Sequence, residues 1–253
     1  MLEGWGKVSF SHMSFFVTYR PLSYGMRRPQ GFDFTNPGVA FDEILVVSLD
    51  RHAGRFARVA ALLDGLGLTN YRRWEAFDAS KPGVHEKMKL QIGAKMTGTG
   101  SGWSLGAIGC AESHWEIFEH VHEEAYGRAL ILEDDIVFNP NANLSLLLEA
   151  IHQIPDDAEI AYLGYCFSRT HEFVKPLWKH GAACCTHAYV LSHFGAARLL
   201  QLLQPLSAPI DEVMRDLCYS GQINCYIAHI GVGNRHPDFL HDGLFLQTVS
   251  KGT

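Results

Sequence analysis

Three adjacent carboxylates, Glu133, Asp134 and Asp135, follow the apolar run Leu130-Ile131-Leu132 and precede Ile136-Val137. Carboxylates this close repel one another in a low dielectric, so a cation is their natural compensation. Along a strand, Glu133 and Asp135 point to one side and Asp134 to the other. Oxygen ligands of this kind suit Mg2+ or Mn2+. A divalent cation there fits chemistry on a phosphate or diphosphate, where it neutralises the leaving group. The competing reading is a solvated acidic turn after a strand.

Other groups with chemical potential are spread along the chain. Arg51 and Arg55 follow the apolar run Ile44 to Val47. Their forked donors suit phosphate, although a solvated helix face reads the same way. His114 stands two residues after Glu112 and also reads as a satisfied structural histidine. Asp211 and Glu212 open a helix after Pro209, where acids favour the positive end. The Gly-rich stretch 96–102 lacks the P-loop pattern and reads as a loop or a lid. The six cysteines, Cys110, Cys166, Cys184, Cys185, Cys218 and Cys225, include no CxxC pair. An even count permits disulfides, but buried free thiols are the favoured reading.

The elements that must position these groups follow from periodicity. Ile44 to Val47 reads as a strand buried on both faces. Phe56, Val59, Ala60 and Leu63 mark a helix ended by Gly65 and Gly67. Tyr71 to Phe77 reads as a second strand, giving a βαβ opening and a parallel sheet. Ile108, Ala111, Trp115, Phe118 and Val121 share one helical face, and Ala129 to Leu132 is another buried strand. Further on come a helix over 144–153, strands over 159–164 and 182–191, and helices over 194–204 and from 209. Ligands bind at the carboxyl ends of strands in open sheets of this kind, which is where the acidic triplet falls. Residues 1–40, with three prolines and unpatterned aromatics, read as an arm or appended segment before a single domain over 41–253. The tail from Ile227 reads as irregular.

The chain has 253 residues, 47% hydrophobic and 19% charged, with a formal net charge of −6. That is the balance of a globular chain with a real core and excludes a disordered one. A mildly acidic chain does not attract nucleic acid or anionic membrane through its overall field. No run approaches the roughly 20 apolar residues of a membrane span. The first residues lack a signal-peptide pattern, which favours the cytoplasm.

Six segments, in order, resemble glycosyltransferase family 25, which includes bacterial lipo-oligosaccharide glycosyltransferases and procollagen galactosyltransferases. They are Ile44 to Arg51 with Arg55, Glu75-Ala76-Phe77-Asp78-Ala79, Ile108-Gly109-Cys110-Ala111-Glu112-Ser113-His114, Ala129 to Val137, Ala188 to Ser192 with Gly195-Ala196, and Pro209 to Glu212. Ala79 stands where the family usually has Gly, and Ala107 where it often has Glu. The resemblance implies a GT-A-type, Rossmann-like, mostly parallel α/β sheet flanked by helices. It implies transfer of a hexose, galactose or glucose favoured, from a nucleotide-sugar, UDP-sugar favoured, with inversion, onto a glycan or a hydroxyl of a protein. By the same resemblance Glu133 and Asp135, the latter expected deepest at the strand end, bind Mn2+ or Mg2+. The third metal ligand is expected among His229, His236 and His241, with His241 preferred. Leu49, Asp50, Arg51, Arg55, Ser113, His114 and Asp134 contact the nucleotide donor. Asp211, with Glu212 beside it, is expected to be the base that deprotonates the acceptor; a purely structural acid at the helix start is the alternative. Two other functions stay open: a catalytically silent relative that binds a glycan or partner, and a Mg2+-dependent phosphohydrolase.

Overall fold

The computed structural model describes residues 26–29, 33, 36–90, 104–230 and 242–248. In chain order the elements are β1 (Glu43–Ser48), α1 (Ala53–Gly65), β2 (Tyr71–Glu75), α2 (Leu105–Glu123), β3 (Ala129–Glu133), β4 (Ile136–Phe138) and α3 (Leu144–His152). They continue with β5 (Ile160–Lys175), β6 (Trp178–Leu191), α4 (His193–Leu202), α5 (Ile210–Tyr219), β7 (Cys225–Ala228), β8 (Asp242–Gly243) and β9 (Phe245–Gln247).

The main sheet has the order β2-β1-β3-β6-β7-β5-β8, with β5 also paired to β6. Strands β1, β2, β3, β5 and β7 run one way; β6 and β8 run the other. The architecture is therefore α/β with a mostly parallel sheet, as expected. The alternation of side chains along β1 and β3 divides the core into two layers. Leu45, Val47, Ala129 and Ile131 pack with α2, α4 and α5 on one face. Ile44, Val46, Leu130 and Leu132 pack with α1 and α3 on the other. Continuous apolar runs are what a strand covered on both faces needs.

Helix starts are fixed locally. The side chains of Ser104, Asn143 and Ser192 accept from Ala107, Leu146 and Gly195 N–H at the starts of α2, α3 and α4. Each satisfies a donor the helix cannot. Gly109, in the first turns of α2, has to be glycine: a Cβ there would stand 2.5 Å from the Phe77 carbonyl oxygen. Its absence lets the 76–80 loop lie directly on the helix.

Several sequence expectations are corrected. The strands expected over 159–164 and 182–191 are longer, because they form one hairpin that turns at Pro176-Leu177. The segment around Ile227 is not irregular: β7 lies between β5 and the start of β6. The favoured reading of free thiols is overturned for four cysteines. Cys166 and Cys185 are bonded across the hairpin with Cα atoms 5.8 Å apart, and Cys218 and Cys225 join α5 to β7. Strict alternation would put Cys184, not Cys185, opposite Cys166. Cys185 instead adopts φ 72°, a conformation rare for a side-chain-bearing residue, at an irregularity in the ladder. Of residues 1–40, Met26 is buried in the same layer as Phe41; residues 1–25 lie outside the described residues, as does the Gly-rich stretch 96–102.

Candidate functional site

From β1 the chain crosses by α1 to β2 on one side and then by α2 to β3 on the other. The carboxyl ends of β1 and β3 thus form a topological switch point, the position where open α/β sheets bind ligands. A cavity of about 380 Å³ lies there. Its walls are the end of β1 and the following Leu49, Arg51, His52 and Arg55, the 76–80 loop, the first turns of α2, and Glu133 to Asp135. The volume suits a small organic ligand.

Strand β3 ends at Glu133, and the chain turns through Asp134 and Asp135 into β4. The expectation that Asp135 lies deepest is corrected: the Asp134 side chain is 8% exposed, against 19% for Asp135 and 22% for Glu133. Asp134 points back toward β1. Ser48 Oγ donates to its Oδ2 at 2.7 Å, and Arg55 Nη2 lies 3.1 Å from its Oδ1. His52 Nδ1 is 3.6 Å from Oδ2. Arg55 also reaches Asp135 Oδ2 at 2.9 Å, so one guanidinium ties the two carboxylates.

Glu133 and Asp135 are brought together by the turn that follows β3, not by strand alternation. Both converge on Gln247 of β9, whose Nε2 lies 3.3 Å from Glu133 Oε2 and 3.3 and 3.2 Å from the two Asp135 oxygens. Thr248 holds the Asp135 carbonyl through its N–H at 2.9 Å and its hydroxyl at 3.0 Å. Glu133 and Asp135 are the residues here that could hold a divalent cation, since carboxylate oxygens suit Mg2+ or Mn2+. Burial and the charge of Glu133 push Asp135 up to about 6, partly offset by Arg55. Burial also opposes ionisation of Glu133, yet His114, Thr186 and His187 together hold it below the ordinary glutamate value. Thr186 Oγ1 donates to Glu133 Oε1 at 2.6 Å.

The remaining expected residues fall into three groups. Leu49, Arg51, Arg55, Ser113, His114 and Asp134 all line the cavity. Arg51 is ion-paired with Asp78 at the rim. Ser113 also secures the wall, accepting from Phe77 N–H at 2.8 Å and donating to the Gly109 carbonyl at 2.6 Å. Asp50, Asp211 and Glu212 are not among the lining residues. Asp50 pairs with Arg73 Nη2 at 2.6 Å, and Asp211 Oδ2 accepts from Cys185 N–H at 3.1 Å. Glu212 is exposed. His236 and His241 lie outside the described residues, and the His229 ring packs on Phe173, centroids 5.3 Å apart.

Sequence reasoning missed Ser48, His52, Cys110, Thr186 and Gln247. Cys110 and His114 carried a legible signal, since positions i and i+4 share a helix face. Thr186 and Gln247 carried none, because only the pairing of β6 with β3 and of β9 with β4 brings them to the triplet.

Residues 41–214 match the model of the family described as glycosyltransferase family 25 (LPS biosynthesis protein). The human protein named inactive glycosyltransferase 25 family member 3 is 30% identical over 82% of this chain and 37% of its own length. The rat protein named probable inactive glycosyltransferase 25 family member 3 is 31% identical, over 70% of this chain and 33% of its own. A glycosyltransferase 25 family member of Drosophila pseudoobscura pseudoobscura is 28% identical over 70% of this chain and 30% of its own. The chain therefore spans about a third of the length of the curated relatives it matches.

Proposed function

Because the chain belongs to glycosyltransferase family 25, we propose that its cavity binds a nucleotide-sugar, UDP-sugar favoured, and that the protein moves a hexose to a hydroxyl of a glycan or protein. The observation that carries this reading is the convergence of Glu133 and Asp135 on one donor position beside Arg51 and Arg55, in a cavity at the switch point. Glu133 and Asp135 would hold Mn2+ or Mg2+, which supplies charge neutralisation to the leaving diphosphate. Arg51 and Arg55 add fixed positive charge at the mouth, and Ser48 and Arg55 keep Asp134 oriented. Asp211, at the start of α5, is the proposed base for the acceptor hydroxyl. It need only take one proton as the oxygen attacks the anomeric carbon opposite the leaving group. The two disulfides support residence in an oxidising compartment rather than the cytoplasm.

A second reading, a silent family member that binds the donor or a partner without turnover, is favoured by two relatives whose names say inactive. Release of UDP from UDP-galactose and UDP-glucose with Mn2+, with and without glycan acceptors, separates the two. Turnover that disappears in Glu133→Gln supports the transferase. Mn2+-dependent UDP binding with no turnover on any donor supports the silent reading.

A further inference from the structure

Next to Glu133 lie two side chains, Cys110 and His114, to which the proposed sugar transfer gives no step. Cys110 and His114 stand one helical turn apart on α2 and face Glu133 of β3. One donor atom from each lies within 4.8 Å of the others. His114 is fully buried. Its Nδ1 is satisfied by the Tyr189 hydroxyl at 2.7 Å, whereas its Nε2 has no hydrogen-bond partner. Glu133 Oε1 lies 3.7 Å away, within ion-pair but beyond hydrogen-bond distance. A buried polar atom left this way is costly, and histidine metal ligands show the same arrangement: one ring nitrogen oriented by a neighbour, the other open.

We propose that Cys110, His114 and Glu133 form a site for a borderline-soft divalent cation, Zn2+ above all. Thiolate and imidazole together select zinc over Mg2+ or Mn2+. Zinc bonds of about 2.0–2.3 Å need donor atoms about 3.5 Å apart, so closure from 4.8 Å asks for a side-chain shift of about an ångström. All three residues line the cavity, so the metal has an entry path and a fourth position open to solvent or ligand. The site shares Glu133 with the proposed Mn2+ position. Zinc therefore antagonises Mn2+-dependent donor binding; this clause alone rests on the transferase reading, and the zinc site itself does not.

The test uses the full chain, freed of metal, and Co2+ as a spectroscopic probe for zinc. Titration of wild type is expected to give a thiolate-to-cobalt charge-transfer band and the strong visible bands of a tetrahedral ion. Both saturate at one equivalent and are bleached by one equivalent of Zn2+. Cys110→Ser loses the charge-transfer band and Cys184→Ser, at the other free thiol, keeps it. No charge-transfer band in wild type with a native circular dichroism spectrum overturns the site, as does a band that survives Cys110→Ser. UDP calorimetry with Mn2+, run on wild type with and without added Zn2+, isolates the antagonism. No UDP binding with Mn2+ alone counts against the transferase reading and leaves the cobalt result standing. UDP binding unchanged by Zn2+ overturns the antagonism.

Discussion

Two flanks of the acidic triplet are built in different ways. On one side, Asp134 meets Ser48, His52 and Arg55, all within eight residues of one another around the β1–α1 turn, and two of them carry or can carry positive charge. On the other, Glu133 and Asp135 meet Thr186 from β6, His114 from α2 and Gln247 from β9, side chains that are neutral or buried and far apart in the chain. The first flank compensates charge with the fixed cation of Arg55. On the second, Arg55 reaches Asp135 but not Glu133, and burial together with the charge of Glu133 still pushes Asp135 up to about 6. The lesson is that the triplet is not three equivalent acids. Asp134 is held by Ser48, His52 and Arg55, whereas Glu133 has no Lys or Arg partner among the described residues, which is why Glu133 and Asp135 are the proposed cation ligands.

The largest expected effect breaks that asymmetry directly. Asp135→Asn should lower transfer by at least about 100-fold and abolish Mn2+-dependent UDP binding, with an unchanged circular dichroism spectrum. Equal losses from Asp134→Asn with intact Mn2+ affinity at Asp135→Asn would reverse the assignment. Next comes Asp211→Asn, which should cut turnover by about 10²–10⁴-fold while UDP-sugar affinity stays within a few-fold. Preserved turnover with a lower melting temperature would make Asp211 a structural partner of Cys185 N–H.

Cys166→Ser sharpens the contrast between the flanks by loosening only the hairpin that carries Thr186. Opening a disulfide with a sequence separation of 19 should cost about 3 kcal/mol in urea unfolding, and a reductant, which also opens Cys218–Cys225, should cost wild type more. A Ser113→Ala change removes the acceptor for Phe77 N–H and the anchor of the 76–80 wall. It should cost about 1–2 kcal/mol and weaken UDP binding more than folding.

The smallest effect lies far from the triplet. Burial of Glu43 opposes its ionisation, but Arg72 and His120 outweigh that and lower its pKa. A lowered carboxylate pKa stabilises the fold above its unfolded value and loses that stability as pH falls through the folded one. Glu43→Gln should therefore cost under about 1 kcal/mol at pH 7, and nothing at low pH where wild-type Glu43 is protonated.

The same asymmetry explains what could be read from the sequence. The β1, α1, α2 and β3 segments announce themselves through unbroken apolar runs or a helical period, because each is buried on a face that its own residues define; β2, with no fully buried residue, is marked only by its aromatics and its place after α1. The triplet was legible because it ends such a run. Ser48 was within reach too, as the first polar residue after Val47. The second flank was not. Cys185 bonds Cys166 at an irregular stretch of the hairpin where it adopts a positive φ, and no local pattern encodes that irregularity. Gln247 reaches Asp135 through a short strand, β9, whose pairing with β4 spans more than a hundred residues. Charge spacing also misled in one place: a triplet on an ideal strand puts its last member deepest, but β3 stops at Glu133 and the turn buries Asp134 instead.

Isothermal calorimetry of UDP into the protein tests the proposed cation requirement at Glu133 and Asp135 most directly. With Mn2+ present, UDP should bind at one site, and with a chelator the affinity should fall by at least about tenfold, a difference of 1.4 kcal/mol. The same fall should appear without chelator in Asp135→Asn. Equal affinity with Mn2+ and with chelator would contradict the account.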